Sequence, residues 1–298
     1  MSERREFIAG RLREIQSSII RQLENEDGLG KFGSESWDRP GGGGGTTRLL
    51  TNGAVIEKGG VNFSAVFGAT PAPIQKVFQT GADSFFATGV SIVIHPSNPF
   101  VPIIHMNIRY FELSDGQSWF GGGIDLTPCY VFEEDARFFH EAMKRVCDEV
   151  DPTYYPQFKE NADHYFFIPH RNETRGIGGI FYDRMAATEP NEFEKLWRFT
   201  QAVGEAFGPV YTSLMNRRKG MAWEDVQKQW QLHRRSRYVE FNLVYDAGTK
   251  FGLETNGRTE SILMSMPPLA RWESNYIPTS GTQEYGSQQF FQKGIAWT

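Results

Sequence analysis

The sequence predicts an α+β fold: a large antiparallel β-sheet flanked by α-helices on both faces. Three observations predict it. β-rich runs follow one another from residue 47 to 125. Segments with helical period follow in a block from 132 to 235, and β-rich runs return from 238. The early runs are joined by short links carrying Gly, Pro or Asn-Gly, which suits antiparallel pairing better than crossover connections. No internal repeat and no linker breaks this order, so residues 1–298 read as a single domain.

The elements follow from spacing. Phe7, Ile8, Leu12, Ile15, Ile19 and Leu23 recur near 3.6 residues, giving a helix over 6–26 that stops at Asp27-Gly28-Leu29-Gly30. Residues 28–46 read as loop, ending in Pro40 and the run Gly41 to Gly45. Five successive glycines hold regular structure poorly. A plain mobile loop fits them, as does a lid or hinge; a phosphate nest fits less well, because the GK[ST] ending of a P-loop is missing. Strands are expected at Arg48–Thr51, Ala54–Lys58, Val61–Phe67, Phe85–Ile94, Ile103–Glu112 and Trp119–Asp125. Helices are expected over 132–149, 154–165, 190–217 and 223–235. Tyr238–Tyr245, Lys250–Leu253 and Glu260–Met264 read as strands, and 281–292 as a closing helix.

Composition narrows the function. The chain is 39% apolar and 14% aromatic, enough for a sizeable core and a ring-lined pocket. A net charge of −5 argues against binding nucleic acid or an anionic membrane surface. Cys129 and Cys147 have no CxxC spacing and read as reduced thiols of a cytoplasmic protein. No run of about 18 apolar residues is available to span a membrane. The N-terminus has no signal-type apolar core, and Glu3, Glu6, Glu14 and Glu24 argue against a transit peptide.

The strand over 101–112 carries the clearest chemistry. Side chains alternate between faces, so His105, Asn107 and Arg109 share one face while Ile104, Met106, Ile108 and Tyr110 form a core face. A proton carrier, an amide and a fixed cation in a row suit an anionic substrate; a solvated strand face is the other reading. Ser91, Val93 and His95 share a face of the preceding run, and a hairpin through Pro96-Ser97-Asn98-Pro99 would bring Ser91 and His95 near that row. Asp125 follows Gly121-Gly122-Gly123. It either faces a groove where a flat ligand approaches the backbone or caps a turn through Thr127 and Pro128. Arg171 and Arg175 flank a glycine-rich strand and either grip carboxylates or pair with Glu173 and Asp183. Asn256-Gly257-Arg258 is a turn signal with a cation. His95, His105, His140 and His170 lack a tight ligand spacing such as HExxH, so they are a weak metal set.

Gly89–Glu112, Trp119–Tyr130, Pro169–Asp183 and Arg234–Met266 together resemble the oxygen-dependent coproporphyrinogen III oxidases, and the similarity runs from about residue 6 to the C-terminus. The resemblance implies a flat antiparallel sheet between helices and a homodimer. It implies conversion of the ring A and B propionates of coproporphyrinogen III to vinyl groups, giving protoporphyrinogen IX in haem synthesis, with O2 as co-substrate and CO2 and H2O2 as products. No organic cofactor is implied; manganese is associated with bacterial members, on His95, His105, His140 and His170. His105 is implied as the proton donor, Asp125 as the acceptor of the pyrrole N–H groups, and Ser91, Asn107, Ile108, Arg109, Asn256, Gly257 and Arg258 as substrate contacts. Arg171 and Arg175 resemble the family's propionate-side arginines. Ser118-Trp119 stands where Trp-Trp is usual, and Phe181-Tyr182-Asp183-Arg184 where Phe-Phe-Asp-Asp is usual, which removes the second acid. A tetrapyrrole carrier would use the same arginines and Asp125 without consuming O2. An oxygenase would use the four histidines for a metal.

Overall fold

The computed structural model describes residues 2–187, 189–254 and 257–298. Helix α1 (Glu3–Asp27) leads into β1 (Gly33–Asp38), β2 (Gly43–Thr51) and β3 (Ile56–Ala69). Then come α2 (Ala72–Phe78), β4 (Ser84–Pro96), β5 (Ile103–Leu113) and β6 (Ser118–Thr127). Helices α3 (Glu133–Asp148) and α4 (Tyr154–Tyr165), a small β7–β8 pair (Phe167–Ile168, Glu173–Thr174) and β9 (Gly179–Ala186) follow. The chain finishes with α5 (Pro190–Arg218), α6 (Asp225–Val244), α7 (Ala247–Glu254), α8 (Thr259–Leu263) and α9 (Gln283–Gln288).

Seven strands form one antiparallel sheet in the order β1-β2-β3-β4-β5-β6-β9. One face is apolar. Ile104, Met106, Ile108 and Tyr110 of β5 pack with Ile8, Leu12, Ile15 and Ile19 of α1 and with Phe199, Val203 and Phe207 of α5. Each such side chain removed from water contributes about 1.5–3 kcal/mol before the entropy of ordering is subtracted. Gly204 of α5 leaves room for this approach: a Cβ there would lie 2.7 Å from Ile108 Cδ1, which would have to shift. Asp27, buried at the end of α1, accepts the backbone N–H groups of Gly30, Ala54, Val55 and Ile56 and so ties the β2–β3 turn to the helix. The other face carries α6 to α8. Tyr238 packs on Val93 and Ile103, Asn62 Nδ2 donates to Ser261 O, and Lys58 Nζ donates to Met266 O.

Several expectations are corrected. Residues 33–46 are not loop: β1 and β2 form a hairpin whose turn holds Gly41 and Gly42, while Gly43 to Gly45 are paired strand residues. Gly42 and Gly43 have φ of 119° and 77°, which side chains rarely adopt. The run is therefore regular structure rather than loop: Gly41 and Gly42 make the hairpin turn, and Gly43 to Gly45 belong to its ladder. Ala54–Lys58 and Val61–Phe67 merge into β3, because Gly59 and Gly60 continue the ladder opposite Ile94 and Val93. Helix α2 has no strong apolar period and was not expected. The late strands are helices. Buried Trp230, Arg234, Tyr238 and Phe241 recur at helical spacing, so α6 continues through Tyr238–Val244 despite its β-rich composition. Residues 250–253 and 260–264 fall mostly within α7 and α8.

Candidate active site

The polar face of the sheet has a continuous row running across all seven strands. The register places Glu35, Thr47, Asn62, Ser91, Asn107, Gly123 and Phe181 opposite one another in turn. The next row holds Val93, His105 and Asp125. The row on the other side holds Ser64, Gly89, Arg109 and Gly121. The hairpin expected from Pro96-Ser97-Asn98-Pro99 is present, and Ser91 sits directly across from Asn107. Ile108 faces the other way. Its side chain is fully buried against α1 and α5, so its expected substrate contact cannot come from the side chain.

Asp125 lies in mid-strand on β6 rather than at a turn. It is buried, and so is Arg175. Arg175 Nη2 donates to Asp125 Oδ1 and Oδ2 at 2.7 and 2.9 Å, and Nε donates to Oδ2 at 3.1 Å. His105 Nδ1 donates to Asp125 Oδ1 at 2.8 Å. Burial alone would raise the Asp125 pKa, but the Arg175 guanidinium and the His105 contact outweigh it and hold the carboxyl below its usual range. An ionised carboxylate can only accept, so the His105 proton sits on Nδ1. The half-buried ring then turns a basic Nε2 away from Asp125. Arg175 is completed by Asn242, whose Oδ1 accepts from Nη1 at 2.6 Å. The rings of Phe166, Tyr238 and Phe241 surround its guanidinium carbon at 4.5, 4.7 and 4.7 Å.

Two expectations change here. Four donor contacts occupy the Asp125 oxygens, which matches a carboxylate's lone-pair capacity, so His105 rather than Asp125 presents the acceptor to the polar face. Arg175 is a buried partner of Asp125, not a cation open to a propionate. Neither arginine of the 171–175 segment pairs with Glu173 or Asp183. Arg171 donates through Nε and Nη2 to Glu240 at 2.8 and 2.6 Å. Asp183 instead takes Arg109 Nη2 at 2.6 Å. Arg258 is bonded to Glu35 and donates to Thr47 Oγ1 at 3.2 Å. Gly257 N–H donates to Gly252 O in the α7–α8 connection, and Asn256 lies outside the described residues.

A family model described as coproporphyrinogen III oxidase matches residues 8–297. The chain belongs to the coproporphyrinogen III oxidase family. The oxygen-dependent coproporphyrinogen-III oxidases of two Coxiella burnetii strains, RSA 493 / Nine Mile phase I and Dugway 5J108-111, are each 48% identical to it over 279 residues. The aligned part covers 92% of this chain and 89% of theirs.

Within this coproporphyrinogen oxidase fold the four histidines separate. His140 is buried on the apolar side, between Tyr155 Oη and Ile177 O. His95 is bonded to Ser265 O, and His170 to Tyr245 Oη and Glu240. Burial pushes His95 and His140 down to about 3 and keeps both neutral. Among the described residues no three His, Cys, Asp or Glu side chains converge on one point. These residues therefore do not fit one shared manganese ion.

Glu35, Glu240 and Asn242 are not among the residues the sequence singles out, and Asp183, expected as a partner of Arg171 or Arg175, pairs with Arg109 instead. Alternation along β9 puts Asp183 on the face of Phe181, a signal that could have placed it here. Glu240 and Asn242 give no such signal, because their segment is β-rich in composition while its spacing is helical.

Proposed function

We propose that this chain is an oxygen-dependent coproporphyrinogen III oxidase. It converts two propionates of coproporphyrinogen III to vinyl groups and so yields protoporphyrinogen IX. For each propionate, R–CH2CH2–COOH and O2 give R–CH=CH2, CO2 and H2O2. The carbon chain loses one C–H and its carboxyl group, and O2 takes up two electrons and two protons. The observation that carries this reading is His105, oriented by the buried Asp125–Arg175 pair, in register beside Asn107 and Arg109 on the polar face.

In this reading Nε2 of His105 takes the proton of a pyrrole N–H, which makes the ring electron-rich enough to react with O2. The imidazolium that results is the proton donor for peroxide. Asp125 acts through His105 by fixing its tautomer and by stabilising its charged form. Ser91, Asn107, Arg109 and Arg258 hold the substrate, with the guanidiniums on its carboxylates. O2 is the co-substrate and no organic cofactor takes part. The protein works as one domain in the cytoplasm and as a homodimer. The dimer is supported by the exposed apolar side chains Leu243, Val244, Leu269, Trp272 and Ile277, which cluster in sequence after the site.

Purified protein with coproporphyrinogen III under air is expected to consume O2 and to release H2O2 and the divinyl product, with or without chelator. Binding without O2 uptake would leave only a carrier. Activity that is lost on chelation and restored by manganese would overturn the metal-free part of the reading.

A further inference from the structure

Three arginines near the site carry a carboxylate of the protein itself, and the three pairs differ in kind. Glu240 is only 11% exposed and is held by Arg171, His170 and Trp272, with its pKa at about 2: burial opposes that value, and those hydrogen bonds together with Arg237 impose it. That pair is fixed. Arg109 and Asp183 are 40% and 39% exposed. Arg258 pairs with Glu35, which is 64% exposed and sits on the edge strand β1. Ion pairs this open to water contribute little to stability, so replacing the protein carboxylate by another changes little.

The backbone is shaped to present Asp183. Asp183 and Arg184 together face Gly121 at a bulge between β6 and β9, and Arg184 has φ of 52°, which non-glycine residues seldom adopt. Gly121 leaves the space through which Arg109 reaches across β6: a Cβ there would lie 2.7 Å from Asp183 Oδ1 and 3.1 Å from Arg109 Nε. At the other end of the polar face a cavity of about 370 Å3 is lined by Glu35, Thr47, Lys58, Arg258 and Glu260. It has room for a carboxyethyl side chain and offers Lys58 as a second cation.

We propose that Asp183 and Glu35 are placeholder carboxylates: each occupies an arginine in the free protein and yields it to a propionate of the substrate. This rests on the functional reading above and deepens it. In the free protein the acids keep Arg109 and Arg258 extended toward the polar face and neutralise them against other anions. During the reaction, a propionate that is decarboxylated loses its negative charge: CO2 departs neutral, the electrons pass to O2, and a proton taken up into H2O2 balances the charge. The acid then recovers its arginine, and the vinyl product loses its hold.

The test uses Asp183→Asn and Glu35→Gln in the full chain. KM for coproporphyrinogen III is measured under air, and Kd is measured by fluorescence for coproporphyrin III, the unreactive oxidised ring with the same four carboxylates. Each variant is expected to lower both constants about threefold or more, because the competing anion is gone. Wild-type protein that turns over no coproporphyrinogen overturns the functional reading. Active wild-type protein with KM and Kd unchanged or raised in both variants overturns the placeholder proposal alone. A fall confined to one variant removes the other acid from it. An Asp183→Asn chain that fails to fold makes Asp183 structural and removes it, leaving Glu35→Gln to decide the rest.

Discussion

Asp125 and Arg175 are a buried ion pair, and removal of one partner leaves the other charged and unpaired. Asp125→Asn is expected to lower melting stability by about 3–5 kcal/mol and kcat by about a hundredfold or more. Asp125→Asn combined with Arg175→Gln should recover much of the stability and none of the activity; melting temperature and kcat on the same samples check both. A double variant that regained turnover would remove Asp125 from the chemistry. Acid lability also lies with single residues. His95 and His140 titrate near 3 when folded and near the usual 6.5 when unfolded. The unfolded chain therefore binds more protons below that value, and stability should decline as pH falls from about 6.5 toward 3. Protonation of Glu240 adds to the loss between about 4.5 and 2. His140→Gln should flatten a plot of melting temperature against pH in the upper window, and an unchanged slope would contradict this. At this scale the sequence was informative where a period-2 pattern exists. His105, Asn107 and Arg109 were legible on β5. The bond between Asp125 and Arg175 joins residues 50 positions apart, and no local pattern encodes such a meeting.

Elements depend on what their glycines admit. Gly179→Ala forces a methyl group against the neighbouring strand's backbone, 3.0 Å from Asp125 Cα and closer still to Ile124 O, and overpacking of this kind destabilises by about 1–3 kcal/mol. Gly81→Ala meets nothing within 4 Å and has an ordinary φ, so it should change stability by less than about 0.5 kcal/mol. Denaturant titration of both variants checks the difference, and equal effects would show that Gly179 has no steric role. The strands from β2 to β6 were legible because their alternation and their Gly or Pro links agree. Helix α6 was only half legible. Its C-terminal half is rich in Tyr, Val, Phe and Leu, which favour strands when read locally. Burial of Arg235 and Tyr238 against the sheet, and of Phe241 against Ala162, Phe166 and Ile168, overrides that preference, and this depends on tertiary packing. The β1–β2 hairpin was hidden by its five glycines, which resemble a flexible segment until the rings of Trp37 and Phe67 are seen packed against Gly45 and Gly42.

For the whole molecule, the sheet between two helical layers followed from the order of segments, while the partner surface did not. Sedimentation should give about twice 33.9 kDa, and Leu269→Asp with Ile277→Asp should give monomer; a wild-type monomer at micromolar concentration would sink the dimer. The aromatic enclosure of Arg175 has a further consequence, for motion. Its walls come from Phe166, just after α4, and from Tyr238 and Phe241 of α6. α6 cannot lift from the sheet without exposing a cation and stranding the Asp125 carboxylate. Its amide protons should therefore exchange with deuterium only through global unfolding. Helices α7 and α8 are short and largely exposed, with Thr249 their one buried residue among those described. Their amides should exchange orders of magnitude sooner. A ring as wide as a tetrapyrrole would then reach the polar face by local opening of α7 and α8, while the helix that holds the charge pair stays closed.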